Sequence, residues 1–367
     1  MGVVIPLILI ILTSVIIWKS SDGFDKASTY LGRNLSDGVK GATINAISSS
    51  MPELLTTIFF LIFLKDAEGF SGGIGTVAGS AVFNAMIIPA LSIMVVYFYG
   101  ISKSVRISKK VIYRDSIALL IAQAALIAII YNQMLNWIGG LVLVLIYLLY
   151  VIYMISNMKS NNIENLYEAV PPTQSKNRLL LFLKLDFYGA FIGDKKINSK
   201  NAILLLLTSL FFIGVSCLLL VKSCELIGEE NYSFWGFNNL KGLNIPISVI
   251  AVIIAAAATS VPDTILSVKD AKKGNYNDAI SNALGSNIFD ICFALGLPIL
   301  LYSIFFSPII MDPSTLDFSL NILIIVFVLT IFTFVIFIWG DRLGIKAAIL
   351  LISMYIFFIL FLLFNYV

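Results

Sequence analysis

A chain of 367 residues that is 59% hydrophobic and 12% charged, with a mean hydropathy of +0.97, falls outside the range of soluble domains, which are roughly half apolar and a quarter charged. The formal net charge is only +3 and histidine is absent, which excludes an imidazole metal centre and the readiest proton-shuttling side chain; no nucleic-acid partner is expected. Cys217, Cys224 and Cys292 lie in or beside apolar runs without metal spacing, so neither a disulfide framework nor a zinc site is expected. The apolar runs are long and continuous rather than alternating, which points to membrane helices and not to a barrel.

In chain order, ten runs are long enough to cross a bilayer: 3–18, 40–64, 73–99, 112–131, 135–156, 201–221, 246–268, 277–305, 318–339 and 344–366. The first has neither a basic flank nor a small-residue cleavage site and reads as a membrane helix, not a removed signal. The long polar connection is 157–200, in which "LLLFLKLDFYGAF" is apolar with scattered charge and suits a membrane surface. If the ten runs alternate across the bilayer, 21 of the 24 basic residues fall on one side and only Lys65, Lys222 and Lys241 on the other. The basic side is then cytoplasmic, including the 157–200 loop, and both termini are outside. Asp115 and Asp278, at run ends beside polar loops, are expected to be solvated.

Five runs precede the long connection and five follow it. Because five is odd, the second set starts on the opposite face from the first. The expected architecture is therefore all-α and integral to the membrane, with ten transmembrane helices as two inverted-topology five-helix repeats. Residues 1–156 form the first repeat, 157–200 a cytoplasmic connecting loop and 201–367 the second repeat.

Matched motifs support the repeat. The second run carries "SSSMPELLTT" and the seventh "ATSVPDTILS"; the third carries "GSAVFN" and the eighth "GSNIFD". Glu53 and Asn84 are 31 residues apart, Asp263 and Asp290 are 27 apart, and the excess fits an insertion around "LKDAEGFSGG". Pro52 and Pro262 loosen helix at membrane depth, where a break survives only beside a cavity or within protein. Ser49, Ser50, Thr259 and Ser260 place hydroxyls on the same loosened turns. Ser80 and Asn84 share one helix face, as do Ser286 and Asp290. The pooled donors are all oxygen, which suits Ca²⁺, Na⁺ or K⁺ and not a transition metal. Charged groups at this depth are costly and mark ion pathways. Gly75 and Gly79 read as packing glycines.

At these residues, over about 37–90 and 246–298, the sequence resembles the cation/Ca²⁺ exchanger superfamily, and most of all its K⁺-dependent Na⁺/Ca²⁺ exchangers. The resemblance implies a ten-helix antiporter that exchanges Na⁺ for Ca²⁺ by alternating access. It implies ligands at Ser49, Ser50, Glu53, Ser80 and Asn84 in the first repeat and at Thr259, Ser260, Asp263, Ser286 and Asp290 in the second. The backbone oxygens of Ala46 and Ala256 are further candidates, and an Asp at position 290 implies K⁺ carried with Ca²⁺. No cofactor is implied beyond the transported Ca²⁺, Na⁺ and K⁺. The chain departs from the family in having Ser48 and Ala258 where glycine is usual, which puts the local backbone in question. A cation/H⁺ exchanger on the same fold is the alternative, since the three acids are protonatable, and a channel is a third class. No phosphate-binding Gly-Lys-Ser/Thr motif or intramembrane-protease pattern is present, so no enzyme is expected. The short connecting loop points to a prokaryotic plasma membrane.

Overall fold

A computed structural model describes residues 2–33, 44, 46–64, 66–156, 177–193, 195–234, 236–340 and 342–367. The start of the second run, 40–43 and 45, and the connection 157–176 lie outside the described residues. The helices are α1 (Val4–Leu31), α2 (Ala46–Ser49), α3 (Met51–Leu64), α4 (Asp66–Phe98), α5 (Lys109–Tyr131), α6 (Trp137–Ser156), α7 (Arg178–Leu183), α8 (Phe187–Phe191) and α9 (Ser199–Gly228). They continue with α10 (Ile247–Thr259), α11 (Val261–Lys272), α12 (Tyr276–Phe305), α13 (Pro313–Trp339) and α14 (Ile345–Tyr366).

Eight of these helices are long and apolar enough to cross a bilayer, and α10 with α11 forms a further span bent by 42°. The expected run 40–64 is represented by α2 and α3, which meet at Ser50. Several helices extend beyond their apolar cores. α1 runs past residue 18 to Leu31, helped by the Asp22–Lys26 pair at 2.8 Å, and α9 reaches Gly228 through the Lys222–Glu225 pair at 2.9 Å. Hydropathy detects only the lipid-facing part of such a helix, whereas one-turn charge pairs carry it on into water.

The two central helices are α4 and α12. Over their membrane-spanning windows they are 61% and 56% buried, against 22–39% for the other six long spans. Large side chains on the outer helices, including Ile11, Leu149, Phe211 and Phe357, are exposed, as a lipid-facing surface requires. Around the centre, α4 packs on α14, α6 on α12 and α5 on α13, while α1 lies along α9. Glycines set the closest of these approaches. A Cβ on Gly79 would collide with the Val252 carbonyl of α10, and one on Gly75 would come within 2.6 Å of the Ser248 carbonyl.

Short ribbons tie the connections together. β1 (Ser104–Val105) pairs antiparallel with β6 (Leu343–Gly344), and β2 (Met134–Leu135) with β5 (Ile309–Ile310). The α4–α5 connection is thus bonded to the α13–α14 connection, and the α5–α6 connection to the α12–α13 connection. β3 (Asn231–Phe234) and β4 (Phe237–Lys241) form a hairpin between α9 and α10. Two-residue strands leave no alternation for sequence reading to detect.

The apolar stretch after the long connection forms α7 and α8 and packs against α9: the rings of Phe182 and Phe187 lie 5.7 and 4.9 Å from that of Phe212. Asp115 is not solvated as expected. It is fully buried, held by Arg114 at 2.5 Å and accepting from Ser281 Oγ at 2.7 Å and Tyr150 OH at 3.1 Å. Because α5 begins at Lys109, residue 115 is already inside the helix and faces α6 and α12 rather than the loop. Asp278, in the first turn of α12, is half-buried.

Candidate cation-binding site

Both Pro-acid motifs sit at helix breaks, and the two breaks are built alike. Ser50 N–H donates to the Ala46 carbonyl at 3.0 Å and Leu54 N–H to the Ser50 carbonyl at 3.2 Å. The corresponding bonds, Ser260 to Ala256 and Thr264 to Ser260, are 3.0 and 3.1 Å. Pro52 and Pro262 fall in the first turn of α3 and α11, where an N–H would lack an intrahelical partner anyway. Glu53 and Asp263 occupy the same first turns, where the helix dipole favours a negative charge.

The structure brings all ten predicted site residues into one buried region. Ser50, Glu53, Ser80, Asn84, Thr259, Ser260, Asp263, Ser286 and Asp290 are 0% exposed, and Ser49 is 3% exposed. Ser80 is the hub. Its Oγ lies 3.4 Å from Glu53 Oε1, 3.4 Å from Asp290 Oδ2 and 2.9 Å from Ser260 Oγ, and it accepts from Asn84 Nδ2 at 3.2 Å. Asn84 Nδ2 also reaches Asp263 Oδ2 at 3.4 Å. On the other side, Ser286 Oγ donates to Asp263 Oδ1 at 2.6 Å and lies 3.5 Å from Ser49 Oγ. The Ala46 and Ala256 carbonyls each accept a backbone N–H and a hydroxyl, from Ser49 Oγ at 3.3 Å and Thr259 Oγ1 at 3.2 Å.

Electrostatically the cluster is rich in acceptors and poor in donors. Ser80 has one hydroxyl proton for three oxygen neighbours. Among the described residues, Glu53 Oε2, Asp290 Oδ1 and Asn84 Oδ1 are buried without a hydrogen-bond partner. Among the described residues no lysine or arginine is buried, and no salt bridge reaches the three acids. Buried carboxylates without a basic partner need cations or protons to compensate them. Among the described residues, no three His, Cys, Asp or Glu side chains converge tightly enough to hold one metal ion. The acids are instead joined through Ser80 and Asn84, an arrangement of adjacent oxygen-lined positions rather than a single tricarboxylate cage.

Two contributors escaped sequence reading. Asn282 Nδ2 reaches Asp263 Oδ1 at 3.4 Å and Ser267 Oγ at 3.1 Å, and Asn287 Nδ2 donates to the Ala81 carbonyl at 2.9 Å. Asn282 lies one turn before Ser286, and that spacing could have exposed it. Ser48, one of the departures from the family pattern, donates to the Ile44 carbonyl at 2.6 Å and lies 2.7 Å from Ser28 Oγ of α1. Neither Ser48 nor Ala258 has positive φ, so glycine is not required there.

The model of the family "Sodium/calcium exchanger protein" matches residues 5–156 and 201–364. The chain belongs to this family. Human "Sodium/potassium/calcium exchanger 5" is 27% identical over 325 residues, which are 72% of this chain and 63% of that protein. Rat "Sodium/potassium/calcium exchanger 3" is 40% identical over 124 residues, 34% of this chain and 18% of the relative, so the chain spans less than two thirds of these relatives' lengths. An uncharacterized membrane protein of Methanocaldococcus jannaschii is 25% identical, covering 77% of this chain and 78% of its own. Among solved structures, the "H+/Ca2+ Exchanger CAX" superposes with a TM-score of 0.61 at 14% identity, covering 98% of this chain and 87% of the other. A sodium-calcium exchanger structure, NCX_Mj, superposes at 0.55 with 21% identity, covering 97% of both chains. The fold is therefore that of cation/Ca²⁺ exchangers, and the chain is an integral membrane protein.

Proposed function

We propose that the chain is a secondary antiporter exchanging Na⁺ for Ca²⁺, with K⁺ carried alongside Ca²⁺, by alternating access at the buried carboxylates. The observation that carries this reading is the cluster of Glu53, Asp263 and Asp290 among neutral oxygen donors, with no basic residue to compensate them among the described residues. Ca²⁺ takes six to eight oxygen ligands, a number this region supplies from side chains alone. The ten ligands are Ser49, Ser50, Glu53, Ser80, Asn84, Thr259, Ser260, Asp263, Ser286 and Asp290. Relatives named as sodium/potassium/calcium exchangers support the choice of ions.

The inverted-repeat arrangement, with repeats 1–156 and 201–367, is part of the same proposal. Exchanging the first five spans with the second five turns the β1·β6 ribbon into β5·β2 and the α4·α14 contact into α12·α6, and all of these occur. Ala81 and Asn287, equivalent positions in "GSAVFN" and "GSNIFD", touch each other, as positions beside a two-fold axis must. Mechanistically, breaks at Ser50 and Ser260 present both acids from helix N-termini at one depth, and burial of the whole set corresponds to an occluded step.

The test uses purified protein in Na⁺-loaded liposomes, following ⁴⁵Ca²⁺ uptake after dilution into Na⁺-free buffer, with and without external K⁺ and with an imposed pH gradient. Uptake that requires internal Na⁺ and rises with K⁺ is expected. Uptake driven by the pH gradient alone would replace this reading with cation/H⁺ exchange, and uptake with no counter-ion would make the chain a channel.

A further inference from the structure

Nine of the ten site residues have no exposure, and Ser49 keeps 3%, so solvent reaches the cluster through Ser49 or not at all in this conformation. Ser49 lines a narrow cleft of about 30 Å³, enough for a water molecule, between α1 and α11. The other walls include Ser21, Asp22 and Asp25 of α1 and Pro262 and Lys269 of α11. From Ser49 a chain of polar contacts runs inward to Ser286, at 3.5 Å, and on to Asp263, at 2.6 Å. In the wall of the same cleft, Lys269 Nζ bonds Asp22 Oδ1 at 3.0 Å, while Lys26 holds Asp22 Oδ2 at 2.8 Å. The Ser21 hydroxyl is buried beside this pair and has no hydrogen-bond partner among the described residues.

We infer that this cleft is the cytoplasmic route to the central acids, that Ser21, Asp22 and Asp25 form a cation-binding mouth on it, and that the Lys269 ammonium is a tethered stand-in for the cation there. The inference rests on the exchanger reading for its ligand, a metal cation, and on the basic face being cytoplasmic. Lys269 suits the role because its side chain is 54% exposed and swings on a flexible stem, so its bond to Asp22 is weak and readily opened. When it leaves, the mouth loses one positive charge while its two aspartates stay, and a cation is attracted in its place. When it returns, α1 is tied to α11 and the cleft is closed. Lys26, fixed on α1 itself and stacked on Tyr188 at 4.9 Å, keeps Asp22 oriented throughout.

The test is thiol accessibility. Ser21→Cys is introduced alone and with Lys269→Ala or Lys269→Arg, and membrane vesicles of each orientation are treated with a cationic, membrane-impermeant methanethiosulfonate. The parent chain provides the blank, since Cys217, Cys224 and Cys292 are buried. Modification is expected from the cytoplasmic side only, slowed by Ca²⁺ or Na⁺, accelerated about fivefold by Lys269→Ala as befits an exposed ion pair, and unchanged by Lys269→Arg. Modification from the outer side, or equal rates with and without Lys269→Ala, would overturn the inference. A second measurement needs no cysteine: Lys269→Ala in a sided flux assay should lower the half-saturating cytoplasmic Ca²⁺ severalfold and leave the outer value unchanged, and two unchanged values would overturn the latch. Labelling requires no transport, so a latch seen without Na⁺- or H⁺-coupled flux would fail the exchanger reading alone, whereas coupled flux without a latch would fail this inference alone.

Discussion

Glu53, Asp263 and Asp290 are alike in burial and differ in their neighbours. Asp263 accepts from Ser286 and is approached by the Asn84 and Asn282 amides, so it is the best satisfied of the three, whereas Glu53 and Asp290 each keep one oxygen without a partner among the described residues. Glu53→Gln and Asp263→Asn should each abolish Ca²⁺ binding measured by calorimetry in detergent, since each removes a charge that no other side chain replaces. Asp290→Asn should retain Ca²⁺ binding and lose any stimulation of flux by K⁺. The Asp115 cluster behaves differently because its charge is already matched. Asp115→Ala would leave Arg114, only 21% exposed, without its partner and is expected to cost about 3 kcal/mol, read as a large fall in Tm. Replacing both residues with apolar ones should restore much of that loss while leaving ion binding intact.

Among the elements, the broken helices and the helices that back them carry the buried acidic cluster. α10 can bend by 42° before Pro262 because α4 lies against it through Gly75 and Gly79, and the freed polar groups are enclosed by protein rather than lipid. Gly79→Ala should therefore push α4 off α10. A loss of roughly 1–3 kcal/mol is expected from overpacking, together with weaker Ca²⁺ binding, although no ligand is altered. Normal Tm and normal Ca²⁺ affinity in Gly79→Ala would remove this packing from the account. The extension of α1 to Leu31 matters in the same way, since it places Asp22 and Asp25 opposite Lys269 and not in a disordered tether.

For the whole molecule, the ribbons constrain how the spans can be threaded. The α4–α5 and α13–α14 connections must share one face, and the α5–α6 and α12–α13 connections must share one face, because strands that hydrogen-bond cannot lie on opposite sides of a bilayer. An alternating ten-span path meets both conditions, with the basic connections on one side. A peptide tag inserted at residue 165 should accordingly be reached by antibody only after the cytoplasmic side is opened, and a tag at residue 239, in the β3–β4 hairpin, should be reached from outside. Labelling of residue 165 on intact cells would reverse the orientation.

The membrane class, most of the spans and the side chains that gather in the buried acidic cluster were legible in the amino-acid sequence. Hydropathy and the cost of a buried charge act locally, and Pro52–Glu53 with Pro262–Asp263 repeat the same local device at matching places. Tertiary structure alone decided what depends on residues far apart in the chain. It buried Asp115 against Tyr150 and Ser281, recruited Asn282 and Asn287, and made Ser80 the hub between Glu53 and Asp290, acids from two helices. It also set Lys269 against Asp22, 247 positions earlier. Periodicity reports which face of a helix is apolar and says nothing of which other helix that face will meet. Contacts between polar groups distant in sequence exist only once packing has chosen the neighbours.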